Sequence, residues 1–297
     1  TTDPMVAAVD RLWDAGFVVV VAAGNSGLWG NMTINSPGNS RKAITVGSIS
    51  DRGTGHNFSD DRRSSFSSRG PSAGDHVLKP DLMAPGNRVV AAVDGNSQLA
   101  RWLWWRKRAC DRYCAGTYLE MSGTSMAAPM VAAAAALMLE KEPHLSPDTI
   151  KARLMRSARR VNDDLTSVGA GTLDIMAAMT QTGVMHRPAL SPLVQQSTSG
   201  ALLIESTAAL WGHPHWSNAS LYHGSSSWNA AGGNTGTISG VSANGYLWTD
   251  ETVSARGYLW TDEVFARGYL WTDEETVRAR SLLSVDENGN VIMNDDP

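Results

Sequence analysis

The chain has 297 residues, of which 42% are hydrophobic and 18% charged, with a formal net charge of −4. This length allows one large or two small domains, and the near-neutral charge implies no nucleic-acid partner. The longest apolar run, Met126 to Leu139, has 14 residues and contains a proline, so no segment reads as membrane-spanning.

The first element is a helix: Asp3 stands as its cap, Pro4 at its first position, and Met5, Val9, Leu12 and Trp13 follow at helical spacing, with Asp14-Ala15-Gly16 as its end. Val18 to Val21 is then a continuous β-branched run, the pattern of a parallel strand buried on both faces. Ligands gather at the carboxyl ends of such strands, and Asn25 lies just past this one. Ala43-Ile44-Thr45-Val46-Gly47 and Arg88-Val89-Val90-Ala91-Ala92-Val93 read as further core strands.

The segment from Gly86 to Gly123 carries Arg101-Trp102-Leu103-Trp104-Trp105-Arg106-Lys107-Arg108, basic and aromatic together. Alone it would suggest nucleic acid or an anionic membrane. Because it is short and the rest of the domain is not basic, it reads as a surface insertion near the rim of a site. Cys110 and Cys114, four apart, suit one helix face or a small local disulfide; free structural thiols are the preferred reading, since two ligands make no zinc site.

Gly123-Thr124-Ser125-Met126-Ala127-Ala128-Pro129 opens an Ala-rich apolar segment that reads as a helix buried all round, with Pro129 in its first turn. Ser125 stands where the first backbone N–H groups of a helix have no internal partner. An oxyanion forming beside it would meet those donors and the positive end of the helix dipole. Ser146-Pro147-Asp148 begins another helix with Ile150, Leu154 and Ala158 on its inner face.

These motifs together resemble the subtilisin-like serine protease family. Gly123 to Pro129 looks like its nucleophile motif, and Phe17-Val18-Val19-Val20-Val21-Ala22-Ala23-Gly24-Asn25-Ser26-Gly27 like its strand ending in the oxyanion-hole asparagine. Ser65-Phe66-Ser67-Ser68-Arg69-Gly70-Pro71 and Lys79-Pro80-Asp81-Leu82-Met83-Ala84-Pro85-Gly86 also resemble family blocks, and Gly169 to Met179 its closing helix. The resemblance implies a three-layer α/β domain with a mostly parallel sheet over residues 1–186. It further implies peptide-bond hydrolysis by acylation of Ser125, with Asn25 donating to the oxyanion and Ala22, Ala23 and Gly24 forming one side of the primary substrate pocket.

The family's Asp and His blocks, which precede the asparagine in its chain order, do not occur here. The expectation is therefore a domain truncated at its N-terminus, inactive alone, whose first partner is the upstream part of the same catalytic domain. His223-Gly224-Ser225-Ser226 and Gly55-His56-Asn57 are poor imitations of the His block, and His76, His144, His186, His213 and His215 have no motif context. No cofactor takes part in the implied chemistry. Structural calcium is common in the family, but no ligand loop here is specific enough to name. The family implies secretion, although no signal peptide is visible at Thr1.

From residue 187 the character changes to Ser, Gly, Asn and Trp, and this stretch, 187–297, reads as a separate tail. Within 245–280 it repeats Gly245-Tyr246-Leu247-Trp248-Thr249-Asp250, Gly257-Tyr258-Leu259-Trp260-Thr261-Asp262 and Gly268-Tyr269-Leu270-Trp271-Thr272-Asp273. Spacings of 12 and 11 suggest short strands and turns that stack on one another or on the protease domain. Disorder and aromatic stacking on polysaccharide are the other readings. From Gly245 onward eleven acids face four arginines, a net of −7 that leaves +3 for the remainder. A protease remnant serving as a binding module through these repeats is the rival to an enzyme.

Overall fold

The computed structural model describes residues 3–54, 57–108, 117–161, 163–196 and 202–222, together with the backbone of short strands between 237 and 293. Helix α1 (Pro4–Asp14) starts where Asp3 accepts the Met5 N–H at 2.8 Å. Its inner face is Val6 and Trp13; Met5 and Leu12, expected inside, are exposed. The apolar residues spread over more of the helix than one face can bury.

Strands β1 (Val20–Ala22), β2 (Ile44–Ser50) and β4 (Leu82–Pro85) pair in parallel around β2, and β3 (Arg62–Arg63) joins β2 antiparallel. Alternation along β2 and β4 sends side chains to both faces. Ile44, Val46, Leu82 and Ala84 meet Trp13 and helix α3 (Thr124–Lys141) in one cluster. Ile49 and Met83 meet Val161 and Val168 in another. Helices α4 (Pro147–Ser157) and α6 (Ile175–Thr180) complete the first cluster through Ile150, Leu154 and Ala178, and α5 (Leu165–Val168) closes the second. β2 is thus buried on both faces, whereas β1 is only half-buried, because β2 is its single strand neighbour among the described residues.

Three further expectations change. Val89–Val93 (β5) is a strand outside the core: it pairs antiparallel with β7 (Thr117–Met121), which also pairs β6 (Lys107–Arg108), and its central residues are exposed. Its β-branched residues favour a strand but do not supply a second layer to bury it. Residues 169–170 turn after α5 and 171–174 run beside β4, with Met83 donating to Gly171 O and Leu173 to Met83 O, so the closing helix is only α6, capped by Asp174. Helix α3 buries a stripe of Ala127, Val131, Ala134, Ala135 and Met138, while Pro129, Met130, Ala132, Ala133, Ala136 and Leu137 are exposed.

The proposed boundary at 186 falls inside a packed unit. Residues 189–196 and 202–222, with strands β8 (Val194–Gln196) and β9 (Leu202–Ile204) and helices α7 (Thr207–Trp211) and α8 (Asn218–Leu221), place Val194, Ile204, Trp211, Trp216 and Tyr222 against Leu78, Ala152 and Met155. Ion pairing adds to this, since Arg41 contacts Glu205 at 2.6 Å.

A buried charge cluster lies at the same seam. Asp81 accepts from Lys79 Nζ at 2.7 Å and from Ser191 Oγ at 2.6 Å, and stands 3.5 Å from Lys151 Nζ. Lys151 also donates to the carbonyls of Arg41 and Lys42 at 2.9 and 3.1 Å. Burial, opposed by Asp81 and reinforced by Lys79, lowers the Lys151 pKa to about 7. Burial pushes the Asp81 carboxyl up, but the two ammonium groups and its hydrogen bonds outweigh it and hold it below its ordinary value.

In the repeat region, Leu247–Thr249, Leu259–Thr261 and Leu270–Trp271 pair in parallel with equivalent repeat positions opposite, Leu247 to Leu259 to Leu270. Val253–Arg256 pairs Val264–Arg267 in the same way. The remaining positions of the repeats, and Cys110 and Cys114, lie outside the described residues.

Candidate active site

The end of β1 and the start of α3 are joined by one threonine. Thr124, fully buried, donates its N–H to Asn25 Oδ1 at 2.9 Å and its hydroxyl to the same oxygen at 3.1 Å, and its Oγ1 accepts from the Gly24 N–H at 3.1 Å. With Oδ1 engaged, Nδ2 of the exposed Asn25 side chain has no acceptor among the described residues. Gly24 has φ +108, and a Cβ there would lie 2.8 Å from Asn35 Nδ2 and 2.9 Å from Ser68 Oγ, so the turn requires glycine. Ser68 fastens the loop from the other side: its N–H donates to Gly24 O at 2.9 Å and its Oγ accepts from the Ser26 N–H at 3.0 Å.

Before α3, Gly123 donates to Gly86 O at 2.8 Å, and a Cβ on Gly86 would come within 2.7 Å of Gly123 O. The two backbones therefore meet closely and fix where the helix begins. Ser125 is its second residue and is exposed; its N–H has no acceptor among the described residues, so this donor and the helix dipole face outward together. Pro129 is the sixth residue of α3, not in the first turn as expected, and it removes the N–H that the Ser125 carbonyl would otherwise accept.

Ser125, Thr124, Asn25, Gly24 and Ala22 line one open cavity of about 500 Å³, whose other wall is Asn35, Ser36 and Pro37. Ala23 does not line it. Alternation turns its side chain into the core at 0% exposure, while its N–H donates to Val46 O and its carbonyl accepts from Asn35. Thr124 and the Asn35-Ser36-Pro37 wall were missed in the sequence. The threonine carried a signal in standing next to Ser125, whereas the wall is a loop brought in by tertiary contact alone.

No histidine, aspartate or glutamate is among the lining residues. His144 and His186 are exposed, His76 turns a loop with φ +51, and His215 packs edge-on against Trp216. His56 and His223 lie outside the described residues. Among the described residues no group of three or more His, Cys, Asp or Glu is placed to hold a metal ion.

The model of the subtilase family, peptidase S8, matches residues 1–172. Serine protease AprX of Bacillus subtilis is 42% identical over 173 residues, which are 58% of this chain and 37% of that protein. Subtilisin DY of Bacillus licheniformis is 35% identical over 172 residues, 58% of this chain and 50% of that one. Among solved structures, fervidolysin of Fervidobacterium pennivorans aligns with a TM-score of 0.47 and 24% identity, over 68% of this chain and 29% of its own. The chain spans half or less of the length of these curated relatives. Matched by its family model over more than half of its residues, with a serine at a helix start tied to an asparagine at a strand end, the chain belongs to the subtilase family.

Proposed function

We propose that this chain supplies the nucleophile and the oxyanion donors of a serine endopeptidase, and that the general base and its orienting carboxylate come from an upstream part of the same catalytic domain. The observation that carries this is the coupling of Asn25 to Ser125 through Thr124. One carbonyl oxygen held by two donors leaves the Asn25 Nδ2 and the Ser125 N–H as free donors at one cavity. The Ser125 hydroxyl would attack a peptide carbonyl, the negative charge developing on its oxygen would be met by those two donors, and a base from outside the chain would take the hydroxyl proton and return it to the leaving amine. Ala22 and Gly24 would form one side of the substrate pocket, facing Asn35, Ser36 and Pro37. Domain membership would then run to residue 222, with the repeats beyond it as a separate unit, and the family points to a secreted enzyme.

The test is reaction with a serine-directed fluorophosphonate, alone and with the upstream segment added or fused. The chain alone should hydrolyse no peptide amide measurably. The restored enzyme should label at Ser125, and Asn25→Ala should lower its turnover by roughly 10²–10³-fold, a range carried over from the loss of one such donor in subtilisin itself. Hydrolysis by the chain alone that Ser125→Ala abolishes would refute the need for an outside base. Indifference of the restored enzyme to Asn25→Ala would refute the oxyanion role.

A further inference from the structure

The segment between β5 and β6 carries an exposed set of side chains that the catalytic reading does not use. Helix α2 (Gln98–Trp102), capped by Ser97, and a 3-10 turn over Trp104–Arg106 hold Trp102, Trp104 and Trp105 at 71%, 68% and 58% exposure. Trp13, Trp211 and Trp216 are, by contrast, only 2–4% exposed. Leu99 is exposed beside them, while Ala100 is buried and anchors the helix. Arg101 precedes the indoles and Arg106, Lys107 and Arg108 follow them, and no acid occurs from Gln98 to Arg108. Arg108 is held by Glu120 at 2.7 Å; Arg101, Arg106 and Lys107 have no acidic partner among the described residues.

We propose that this arm is a docking surface for the headgroup layer of an anionic lipid bilayer. Indoles combine a large apolar body with one N–H donor and so partition to the boundary between headgroups and acyl chains, and neighbouring cations are drawn to anionic headgroups. Exposed Trp and Arg could equally meet nucleic acid or a glycan, but those partners need ring faces laid against successive bases or sugars. Trp104 and Trp105 stand at 88° to each other with centroids 6.1 Å apart, so they offer no common stacking platform, whereas a lipid interface accepts indoles at any tilt. The attachment is peripheral, since no helix among the described residues is long and apolar enough to cross a membrane.

The experiment is co-sedimentation of the full chain with vesicles of phosphatidylcholine alone and with phosphatidylglycerol added. Binding should require the anionic lipid and fall steeply with added salt. The triple change Arg101→Gln, Arg106→Gln, Lys107→Gln should weaken it about a hundredfold, at about fivefold per cation removed. The triple change Trp102→Ser, Trp104→Ser, Trp105→Ser should weaken it at least tenfold and remove quenching of indole fluorescence by brominated lipid. All six side chains are exposed, so circular dichroism should be unchanged. Equal binding to neutral vesicles, no binding to anionic ones, or binding that survives both triple changes would overturn the proposal. So would tighter binding of single-stranded DNA or an acidic polysaccharide at the same salt.

Discussion

Helices α3 and α4 both reach the cluster beneath the sheet, yet they invert what their sequences suggest. α3 is apolar through about four turns and leaves a continuous outer face exposed, from Pro129 through Ala133 to Leu137. α4 carries Asp148, Lys151, Arg153 and Arg156, and none of its residues is exposed. The difference lies in the neighbours. Residues 183–191 lie along α4 and answer its polar groups one by one: Arg153 donates to Gly183 O at 3.0 Å, Met185 to Thr149 Oγ1 at 3.0 Å, Ala189 to Asp148 at 2.7 Å, and Lys151 to Ser191 at 2.8 Å. Polar residues can be buried where every donor is met; apolar ones remain exposed where nothing covers them. Burial is therefore conferred by the layer that packs on a helix, and hydrophobicity only makes the helix fit to receive one.

The sharpest way to break this comparison is at the charge cluster that ties α4 to the segment around Ser191. Asp81→Asn removes the one anion between two fully buried lysines, and stranding a buried charge costs about 3–5 kcal/mol. Urea unfolding should show that loss, with Lys79 or Lys151 pushed toward the neutral form. A loss under 1 kcal/mol would mean that the lysines are already neutral and that α4 is held by packing alone.

How much could be read in advance follows the same line. The positions of Asn25 and Ser125 were legible because a strand end and a helix start are local patterns, and a short motif marks each. The parallel strands 20–22 and 44–50 were legible from their β-branched runs. The inward turn of Ala23 follows from simple alternation, which a pocket assigned to three consecutive residues overlooks. Asp81, Lys151 and Ser191 gave no signal, because they meet across separations of 70 and 40 residues and each looks like surface where it stands. The packing of Trp211 and Trp216 was hidden by composition: their surroundings are rich in Ser, Asn and His, as a solvated tail would be, and the core they join begins at Leu78.

A smaller effect comes from titrating the cluster instead of dismantling it. The Lys151 pKa is about 7 in the folded chain against 10.5 for the free side chain, so between those values the unfolded chain binds more protons. Stability should therefore rise as pH goes from about 7 to 10, with the cost of the buried ammonium fully present below that window. Asp81 acts at the other end, since its lowered pKa makes its contribution fade as the pH falls below the free value of 3.8. Thermal melts across pH 7–10 should show the rise, and Lys151→Met should flatten it. An unchanged slope in that variant would assign the dependence to another group.

The smallest expected effect is on α3 and is the most informative about its outer face. Leu137 is 42% exposed, so Leu137→Ser should change the stability of this chain by no more than about 0.5 kcal/mol, as surface substitutions do. Val131, six residues earlier and 0% exposed, marks the contrast, because Val131→Ala leaves a cavity and should cost at least about 1 kcal/mol. If the upstream segment proposed to bring the catalytic base also covers this face, the Leu137→Ser cost should grow several-fold once that segment is joined, while the Val131→Ala cost stays the same. Paired urea melts of the two variants, with and without the segment, separate the cases. A cost for Leu137→Ser that does not change on joining would show that the segment packs elsewhere and that the apolar outer face of α3 is solvent-facing in the complete domain as well.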